Sequence, residues 1–368
     1  MHARKADALP QNISLGAKVA FLSRRDSYSP RWETVRRIET HMSWVFLVGD
    51  RAYKLKKPVR FDYLDYSTLD RREAACRAEI SINRRLAPQV YRHLAPLTAS
   101  RDGLGLSGTG PVVDWLVVMR RLPQEGMLDH MLATGSFEQQ KLDRLAEVLS
   151  EFYAHARRVP VSPQAHVRRW RGRLDENLRS LSNPRFGLPA TIVAKVDRAL
   201  RAFVADGADR LRQRAVNGRI VEGHGDLRPE HIYISSSVAI IDCLEFQASF
   251  RILDPFDELA FLSLECERMG AGEAGRYIVE RTAGRLRDNV SPALFIFYRC
   301  CRAMMRARLA AAHLLEARLR APGRWRQRAR DYLDLAAAEA AVLESLVARA
   351  RRHPRPRGRG ANRDGDRT

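Results

Sequence analysis

The sequence predicts an α+β fold in which a small, β-rich lobe is followed by a larger, mostly helical lobe. Short runs rich in β-branched and aromatic residues, bounded by turn residues, fill most of the stretch from Val35 to Met119. After Gly126, apolar residues recur at helical spacing through most of the chain. With 368 residues, of which 45% are hydrophobic, the chain is long and apolar enough to bury two lobes.

The β-rich lobe is expected over residues 13–122. Its clearest strands lie in the runs VRRIET, WVFLVGDRAYKLKK and VVDWLVVM, and Gly49-Asp50 supplies a tight turn within the second run. A helix is predicted at about 68–86, where apolar residues share one helical face. The run GLGLSG at 103–108 has the spacing of a dinucleotide-binding loop. Because it precedes a strand rather than a helix, a hairpin loop is expected there.

The helical lobe is expected over residues 123–350. A β-rich insertion at 219–246 interrupts its helices. The polar segment 1–12 is predicted to be flexible, and the Arg- and Gly-rich segment 351–368 to be a disordered basic tail. The predicted helices are 137–158, 165–181, 190–214, 255–285, 292–320 and 324–350.

The formal net charge of +21, from 64 Lys and Arg against 43 Asp and Glu, first suggests a nucleic-acid or membrane-surface partner. Only seven of those 64 cations are Lys, however, and an Arg bias of this kind indicates coding composition more than a binding face. The C-terminal arginines contain few aromatic residues and no recognition motif. No specific nucleic-acid partner is therefore expected.

Localisation and redox state follow from what the apolar segments and cysteines lack. No apolar run reaches the roughly 18 residues of a membrane span, and the first residues have no apolar signal core. We therefore expect a cytoplasmic protein without a membrane partner. The five cysteines are an odd number without zinc-ligand spacing, which favours buried, reduced thiols.

The strongest motif is HGDLRPEH at residues 224–231. Two short strands joined by three serines follow it and end on Asp242. A hairpin of this length brings Asp226 and Asp242 near each other, as phosphoryl transfer requires: one carboxylate orients the acceptor hydroxyl and the other holds Mg²⁺. The alternative is a turn capped by one Asp and a strand that ends on another.

Together with DPFDELAF at 254–261, this segment resembles the catalytic region of aminoglycoside phosphotransferases and other kinase-fold small-molecule kinases. Their pattern is His-Gly-Asp-x-x-x-x-Asn, then Ile-Asp, then Asp-Pro-x-x-Asp-Leu-Ala. The run AYKLKKPV to RRLAP, residues 52–88, is similar to an uncharacterised bacterial aminoglycoside-phosphotransferase-like group. The resemblance covers about residues 30–320. It implies a protein-kinase-like bilobal fold and transfer of phosphate from ATP, with Mg²⁺, to a hydroxyl of a small molecule.

By this resemblance, Asp226 is the catalytic carboxylate and His224 braces its loop. Asp242 is similar to the metal-binding Asp, and Asp257 to the helix-start Asp that holds the catalytic loop. Two alternatives stay open: His224 is an ordinary turn residue, and Asp257 is only a helix-capping acid.

The sequence departs from the family pattern at His231, which stands where the family has Asn. Imidazole nitrogen is a poor Mg²⁺ ligand compared with an amide oxygen. Three outcomes are open: a weaker second metal, compensation at the metal site by Glu245, or loss of catalysis. The last outcome would make the protein a catalytically silent nucleotide-binding or interaction module.

The lysines of the β-rich lobe are the expected nucleotide ligands, because three of the seven Lys lie in residues 54–57. The period of two in a strand puts Ala52, Lys54 and Lys56 on one face, with room for adenine beside the small residue. Lys54 is the first candidate for the phosphates and Lys56 the second. An acid on the following helix is expected to orient the lysine: by the resemblance it is Glu79, with Glu73 as the fallback, and an ordinary exposed helix acid is the alternative. An exposed basic edge strand is the alternative.

Two backbone segments complete the predicted nucleotide site. The turn at 39–44 takes the place of the family's phosphate-covering loop, where the hydroxyls of Thr40 and Ser43 could meet phosphate oxygens. The adenine edge would be read near residues 119–122, with Val118 or Met119 against the ring. An ordinary hairpin turn and an apolar strand end are the alternatives.

The phosphate acceptor is expected between the catalytic loop and the C-terminal helices, near Glu265 and Glu267. Arginines of the predicted helix 292–320, Arg299 among them, disfavour a polycationic antibiotic and favour a neutral or anionic acceptor. No Gly-Lys pair occurs, so a Walker A loop is absent. The additional ATPase domain that some family members carry is therefore not expected. The sequence leaves the acceptor and the oligomeric state open.

Overall fold

The computed structural model describes residues 13–315 and 322–352. The predicted flexible start, 1–12, and residues 353–368 of the predicted tail lie outside the described residues. The helices are α1 (Leu15–Leu22), α2 (Leu69–Asn83), α3 (Leu128–Thr134), α4 (Gln139–His155), α5 (Pro163–Leu181), α6 (Ala190–Val216), α7 (Pro255–Arg268), α8 (Gly272–Leu286), α9 (Pro292–Ala312) and α10 (Pro322–Arg352). The strands are β1 (Val35–Glu39), β2 (Ser43–Val48), β3 (Arg51–Lys56), β4 (Arg60–Phe61), β5 (Leu64–Asp65), β6 (Tyr91–Ser100), β7 (Gly103–Leu106), β8 (Val112–Arg120), β9 (Val221–Glu222), β10 (Ile232–Ile234), β11 (Val238–Ile240) and β12 (Ile252–Leu253).

The chain divides into two compact units. Of the described residues, the first unit contains 13–160 and Gly218–Asn289, and the second contains Val161–Asn217, 290–315 and 322–352. The predicted lobe bounds, 13–122 and 123–350, stay a prediction. All of the predicted catalytic, nucleotide-binding and metal-binding residues belong to the first unit.

A six-stranded antiparallel sheet forms the N-terminal part of the first unit, in the order β1-β2-β3-β8-β6-β7. The predicted turn at Gly49-Asp50 joins β2 to β3. Gly49 has a φ of +53°, and a Cβ added there would overlap the Trp32 ring. Glycine is therefore required at this turn on two counts, its left-handed backbone and its lack of a side chain.

The two faces of the sheet have different partners, because side chains alternate along each strand. Leu55 and Leu116 pack on one face in a core cluster that includes residues of α1. Ala52 and Val117 lie on the other face, in a cluster with Ile80 of α2. Strand β3 therefore directs every second residue, including both of its lysines, towards α2.

One predicted helix, 255–285, is wrong as a single element. Helix α7 ends at Arg268 and α8 begins at Gly272. Gly270 lies between them with a φ of +78°, the left-handed conformation that commonly ends a helix. Gly270 therefore separates the two helices that the apolar period predicted as one.

The predicted hairpin loop at 103–108 is also wrong in its extent. Residues 103–106 form β7, which pairs with the end of β6. Helices α1 and α3 have no counterpart among the predicted elements, since both have fewer than ten residues and too few turns to show a period.

The second unit is helical and consists of α5, α6, α9 and α10. Ser162 and Ser291 cap α5 and α9 through their side-chain oxygens, each followed by proline at the first helical position. Phe297 stacks on Phe203 and meets Trp170 edge-on in the core, with ring centroids 4.5 and 5.1 Å apart. None of the described helices is long and apolar enough to cross a membrane. The five cysteines are buried free thiols, as predicted.

Candidate active site

The loop at 224–231 is braced by the side chain of His224, which is 1% exposed. Its Nδ1 accepts a hydrogen bond from the Asp226 N–H at 3.2 Å. Its Nε2–H must therefore donate to the Ile241 carbonyl, 2.9 Å away. This pattern requires a neutral imidazole, and burial together with nearby His231 lowers the pKa of His224 to about 4. His224 thus ties the loop to the residue that precedes Asp242.

Glu258 in the first turn of α7 holds the backbone of the same loop. Both of its carboxylate oxygens accept from the His224 N–H at 3.0 Å, and the Gly225 N–H donates to one of them. The Tyr153 hydroxyl donates to Glu258 at 3.0 Å. Asp257, the residue expected here, lies fully buried beside it. Glu258 was not among the predicted site residues, although an acid in the first turn of the helix that begins in DPFDELAF was a signal for it.

Asp226, Arg228 and His231 form a compact polar group at the loop. The Asp226 Oδ2 accepts from Arg228 Nε at 3.1 Å and from Nη2 at 3.0 Å. Arg228 Nη2 also lies 3.0 Å from His231 Nε2. A guanidinium can only donate, so His231 Nε2 accepts and its Nδ1–H donates to the Asp226 carbonyl at 2.9 Å. The lone pair of His231 is therefore engaged by Arg228.

Asp242 follows β11 in a left-handed backbone conformation, with a φ of +61°. Its N–H donates to the Tyr91 hydroxyl at 3.1 Å, and its Oδ1 accepts from Lys54 Nζ at 2.7 Å. Burial raises the pKa of the Asp242 carboxyl, but Lys54 and then His231 lower it by more, so its pKa lies well below the usual range. With 47% of its side-chain surface exposed, this carboxylate stays ionised and accessible.

Lys54 joins Asp242 to helix α2. Its Nζ donates to Glu79 Oε1 at 2.8 Å as well as to Asp242. Burial lowers the pKa of Lys54, but the two carboxylates raise it by more, so the ammonium is charged. Glu73, the fallback partner, pairs instead with Arg77 one turn along α2. The structure thus brings together the expected lysine, the expected acid and Asp242.

Lys56 lies deeper than Lys54 and pairs with different atoms. Its Nζ is 2.6 Å from Glu79 Oε2 and 2.5 Å from Glu245 Oε1. The Tyr66 hydroxyl donates to the same Glu245 oxygen at 2.5 Å. Burial raises the pKa of Glu245, but Lys56 and Lys54 lower it by more, so this carboxyl is ionised. Lys56 itself is only 1% exposed.

A cavity of about 450 Å³ runs past these groups. One end is apolar, with Val45, Leu47, Ala52 and Met119 on its walls. The other end is polar and is lined by side chains of the loop at 224–231 and by Lys54, but not by Lys56. Polar groups lining that end are Lys54, Tyr66, Asp226, Arg228, His231, Asp242 and Glu245.

The predicted backbone segments also line this cavity. Residues 40–43 of the turn before β2 border it, as do Met119 and residues 120–122. The Thr40 Oγ1 donates to the Ser43 carbonyl and accepts from the Ser43 N–H, both at 3.0 Å, so it closes its own turn. Ser43 is 3% exposed. Val118, the other residue considered for the base, packs in the core on the opposite sheet face.

Two acids expected near the acceptor, Glu265 and Glu267, differ in their surroundings. Glu265 is fully buried and accepts from Arg268 at 2.8 Å, whereas Glu267 is exposed. Arg299 lies in the second unit and pairs with Glu339 there at 2.7 Å. Arg299 therefore already has a carboxylate partner, and the expectation of a neutral or anionic acceptor stays a prediction.

The suitability of the site for Mg²⁺ depends on Asp242. Among the residues that the structure describes, no three or more His, Cys, Asp or Glu side chains are grouped to hold a metal ion. Mg²⁺ in kinases is nevertheless bound through one or two carboxylates together with the nucleotide phosphates. The accessible, ionised Asp242 fits that need. The lone pair of His231 is engaged by Arg228, and Oε1 of Glu245 is held by both Lys56 and Tyr66.

No family model matches the chain. Uncharacterised proteins of Mycobacterium tuberculosis and Mycobacterium bovis are each 34% identical to it over 274 residues. The match covers 74% of this chain and 53% of each mycobacterial protein, so the chain spans about half the length of the curated relatives it matches.

Solved structures match over most of their length. Choline kinase from Cryptosporidium parvum Iowa II has a TM-score of 0.51 at 9% identity, covering 89% of this chain and 96% of that one. A choline/ethanolamine kinase family protein from Mesorhizobium loti has a TM-score of 0.47 at 15% identity, with 89% and 99% covered. An aminoglycoside phosphotransferase has 0.49 at 13% identity, with 86% and 95% covered. The structural neighbours are thus choline/ethanolamine kinases and an aminoglycoside phosphotransferase, and the match to choline kinase shows that the chain has the protein-kinase-like fold.

Proposed function

We propose that the protein is a phosphotransferase that moves the γ-phosphate of ATP, with Mg²⁺, to a hydroxyl of a small molecule. One observation carries the proposal. The carboxylates of Asp226 and Asp242 line a single cavity together with Lys54, which is itself paired with Glu79. These are the groups that phosphoryl transfer requires: a carboxylate for the acceptor, one for the metal and an ammonium for the phosphates.

ATP would bind with its base at the apolar end of the cavity. Ala52 and Met119 offer walls for a flat ring, and the backbone at 120–122 offers groups for its polar edge. Lys54 would then meet the phosphates. A volume of about 450 Å³ is in the range of small-molecule sites.

Mg²⁺ would be held by Asp242 and the nucleotide phosphates. When bound, it neutralises charge that builds up on the phosphate oxygens during transfer. Lys54 keeps the Asp242 carboxylate ionised and fixed in direction, and the left-handed backbone of Asp242 directs it into the cavity.

Asp226 would orient the acceptor by accepting a hydrogen bond from its hydroxyl, and would take up the hydroxyl proton as the bond to phosphorus forms. Arg228 holds one oxygen of this carboxylate and lines the cavity, so its positive charge lies beside the path of the phosphoryl group. His224 and Glu258 fix the backbone of the loop and act through Asp226, without themselves lining the cavity.

The proposal is tested by following ATP consumption with a library of hydroxyl-bearing metabolites. Asp226→Asn should lower turnover by at least about 100-fold, the usual size of an acid–base contribution. Asp209→Asn is the control, because that side chain is 93% exposed in the second unit. Equal turnover in wild-type protein and Asp226→Asn would contradict the assigned role.

A second candidate function is a catalytically silent nucleotide-binding module. The observation that favours it is His231, whose lone pair is engaged where the resemblance calls for a metal-binding Asn. In that case ATP should raise the melting temperature equally with and without Mg²⁺, and no phosphate should be transferred. For the phosphotransferase, the ATP-induced rise should depend on Mg²⁺ and shrink in Asp242→Asn.

A further inference from the structure

Lys56, Tyr66, Glu79 and Glu245 are here called the Lys56 network; Tyr66 and Glu245 line the cavity, and Lys56 and Glu79 lie behind its wall. Lys56 and Glu79 are not among the residues that line the cavity, and they are 1% and 0% exposed. Neither therefore has a direct route to a ligand.

The Lys56 ammonium connects three parts of the first unit. It belongs to β3, contacts Glu79 of α2 at 2.6 Å, and contacts Glu245 in the segment after β11 at 2.5 Å. A buried charge costs several kcal/mol unless it is paired, so each of these contacts strongly favours one arrangement of the three parts. The Tyr66 hydroxyl adds a second donor to Glu245.

Both connections lead to Asp242. Glu245 is three residues further along the chain, so holding it restricts the backbone of Asp242. The φ of +61° at Asp242 is a conformation that a non-glycine residue keeps only when its surroundings hold it. Glu79 provides the other connection. Its Oε2 contacts Lys56 and its Oε1 contacts Lys54, which in turn binds the Asp242 carboxylate.

We propose that Lys56 is a positioning residue: through Glu245 and Glu79 it holds Asp242 in its metal-binding conformation, and Glu245 serves Lys56 rather than the metal. The part that concerns metal rests on the proposed function. The part that concerns the backbone of residues 242–245 does not, so the two can fail separately.

The metal part is tested by measuring the Mg²⁺ concentration that half-saturates binding of a fluorescent ATP analogue. Lys56→Met should raise this concentration by about tenfold or more, the usual cost of removing a group that orients a metal ligand. If Glu245 were a ligand instead, Lys56→Met would remove a competing cation and lower the Mg²⁺ requirement. Glu245→Met should match Lys56→Met, and Glu245→Gln, whose oxygen still accepts from Lys56, should lie closer to wild type. Lys141→Met, on the surface of α4, is the matched control.

The backbone part is tested by hydrogen exchange without ligand. The N–H groups of Asp242 and Cys243 donate to Tyr91 and to Asn83. They should exchange about tenfold or more faster in Lys56→Met and Glu245→Met than in Lys141→Met, because exchange reports local opening. Unchanged exchange in both variants would overturn the proposal whether or not the protein binds ATP. Wild-type protein that fails to bind the analogue, with faster exchange in the variants, would overturn the metal part and the proposed function only.

Discussion

Replacing His224 with Asn should remove a specific part of the acid sensitivity of this protein. The neutral ring of His224 accepts from one backbone N–H and donates to one carbonyl while buried. Protonation would place an N–H against the Asp226 N–H. The folded protein therefore resists protonation that the unfolded chain accepts freely.

The size of the effect follows from the two pKa values. The folded value is about 4, against 6.5 for an unperturbed histidine. At 1.36 kcal/mol for each pKa unit, that difference corresponds to about 3 kcal/mol. Because the unfolded chain binds the proton first, this stability is fully present above pH 6.5, is lost as the pH falls towards 4, and changes no further below that.

The assay is urea unfolding of wild-type protein and His224→Asn at intervals from pH 7.5 to pH 4. Carboxylates with lowered pKa values, such as Asp242, contribute to both proteins and cancel in the difference. The wild type should lose about 3 kcal/mol more than the variant over this range. Identical pH dependence of the two proteins, or an NMR titration that places the His224 pKa near 6.5, would refute the reasoning.

Three further predictions concern other parts of the site and sheet. Glu258→Gln should lower the free energy of unfolding by about 3 kcal/mol in a urea titration, because hydrogen bonds to a buried charged group are lost. Glu280→Gln, at an exposed position, should leave that free energy unchanged. Equal effects of the two substitutions would show that Glu258 does not hold the loop. Gly49→Ala should lower the free energy of unfolding by about 2 kcal/mol, because the backbone is left-handed there and the added Cβ would clash with the Trp32 ring. Gly284→Ala in α8, where the added Cβ would meet open space, should raise it slightly. An unchanged free energy of unfolding in Gly49→Ala would contradict the turn geometry. Lys54→Met should abolish the ATP-induced rise in melting temperature, and an unchanged rise would exclude Lys54 from the nucleotide site.

Features of the site that depend on short-range periodicity could be predicted from the sequence. Alternation along β3 put Ala52, Lys54 and Lys56 on one face, an inference that needs only the geometry of one strand. Glu79 came from the resemblance to kinase-fold small-molecule kinases. The assignment of roles to these residues stays a prediction.

The ion-pair partner of each charged side chain could not be predicted from the sequence. Glu245 was considered as a metal ligand because it lies near Asp242 in the sequence, but Lys56 occupies its oxygen. In the sequence, Arg299 favoured a neutral or anionic acceptor, but it pairs with Glu339 within the second unit. In both cases the residue type was read correctly, and the competing contact was invisible because it comes from a distant part of the chain.

By itself, the sequence determined the α+β class and the strands around the Gly49 turn. It also determined the set of acids and lysines that resembles the one in small-molecule kinases. The tertiary structure alone decided how those charges are shared: Glu79 between two lysines, Asp226 with Arg228, and the loop backbone on Glu258. The physical reason is that periodicity and turn chemistry are local, whereas a buried charge is paired by whichever opposite charge the folded chain brings within about 3 Å.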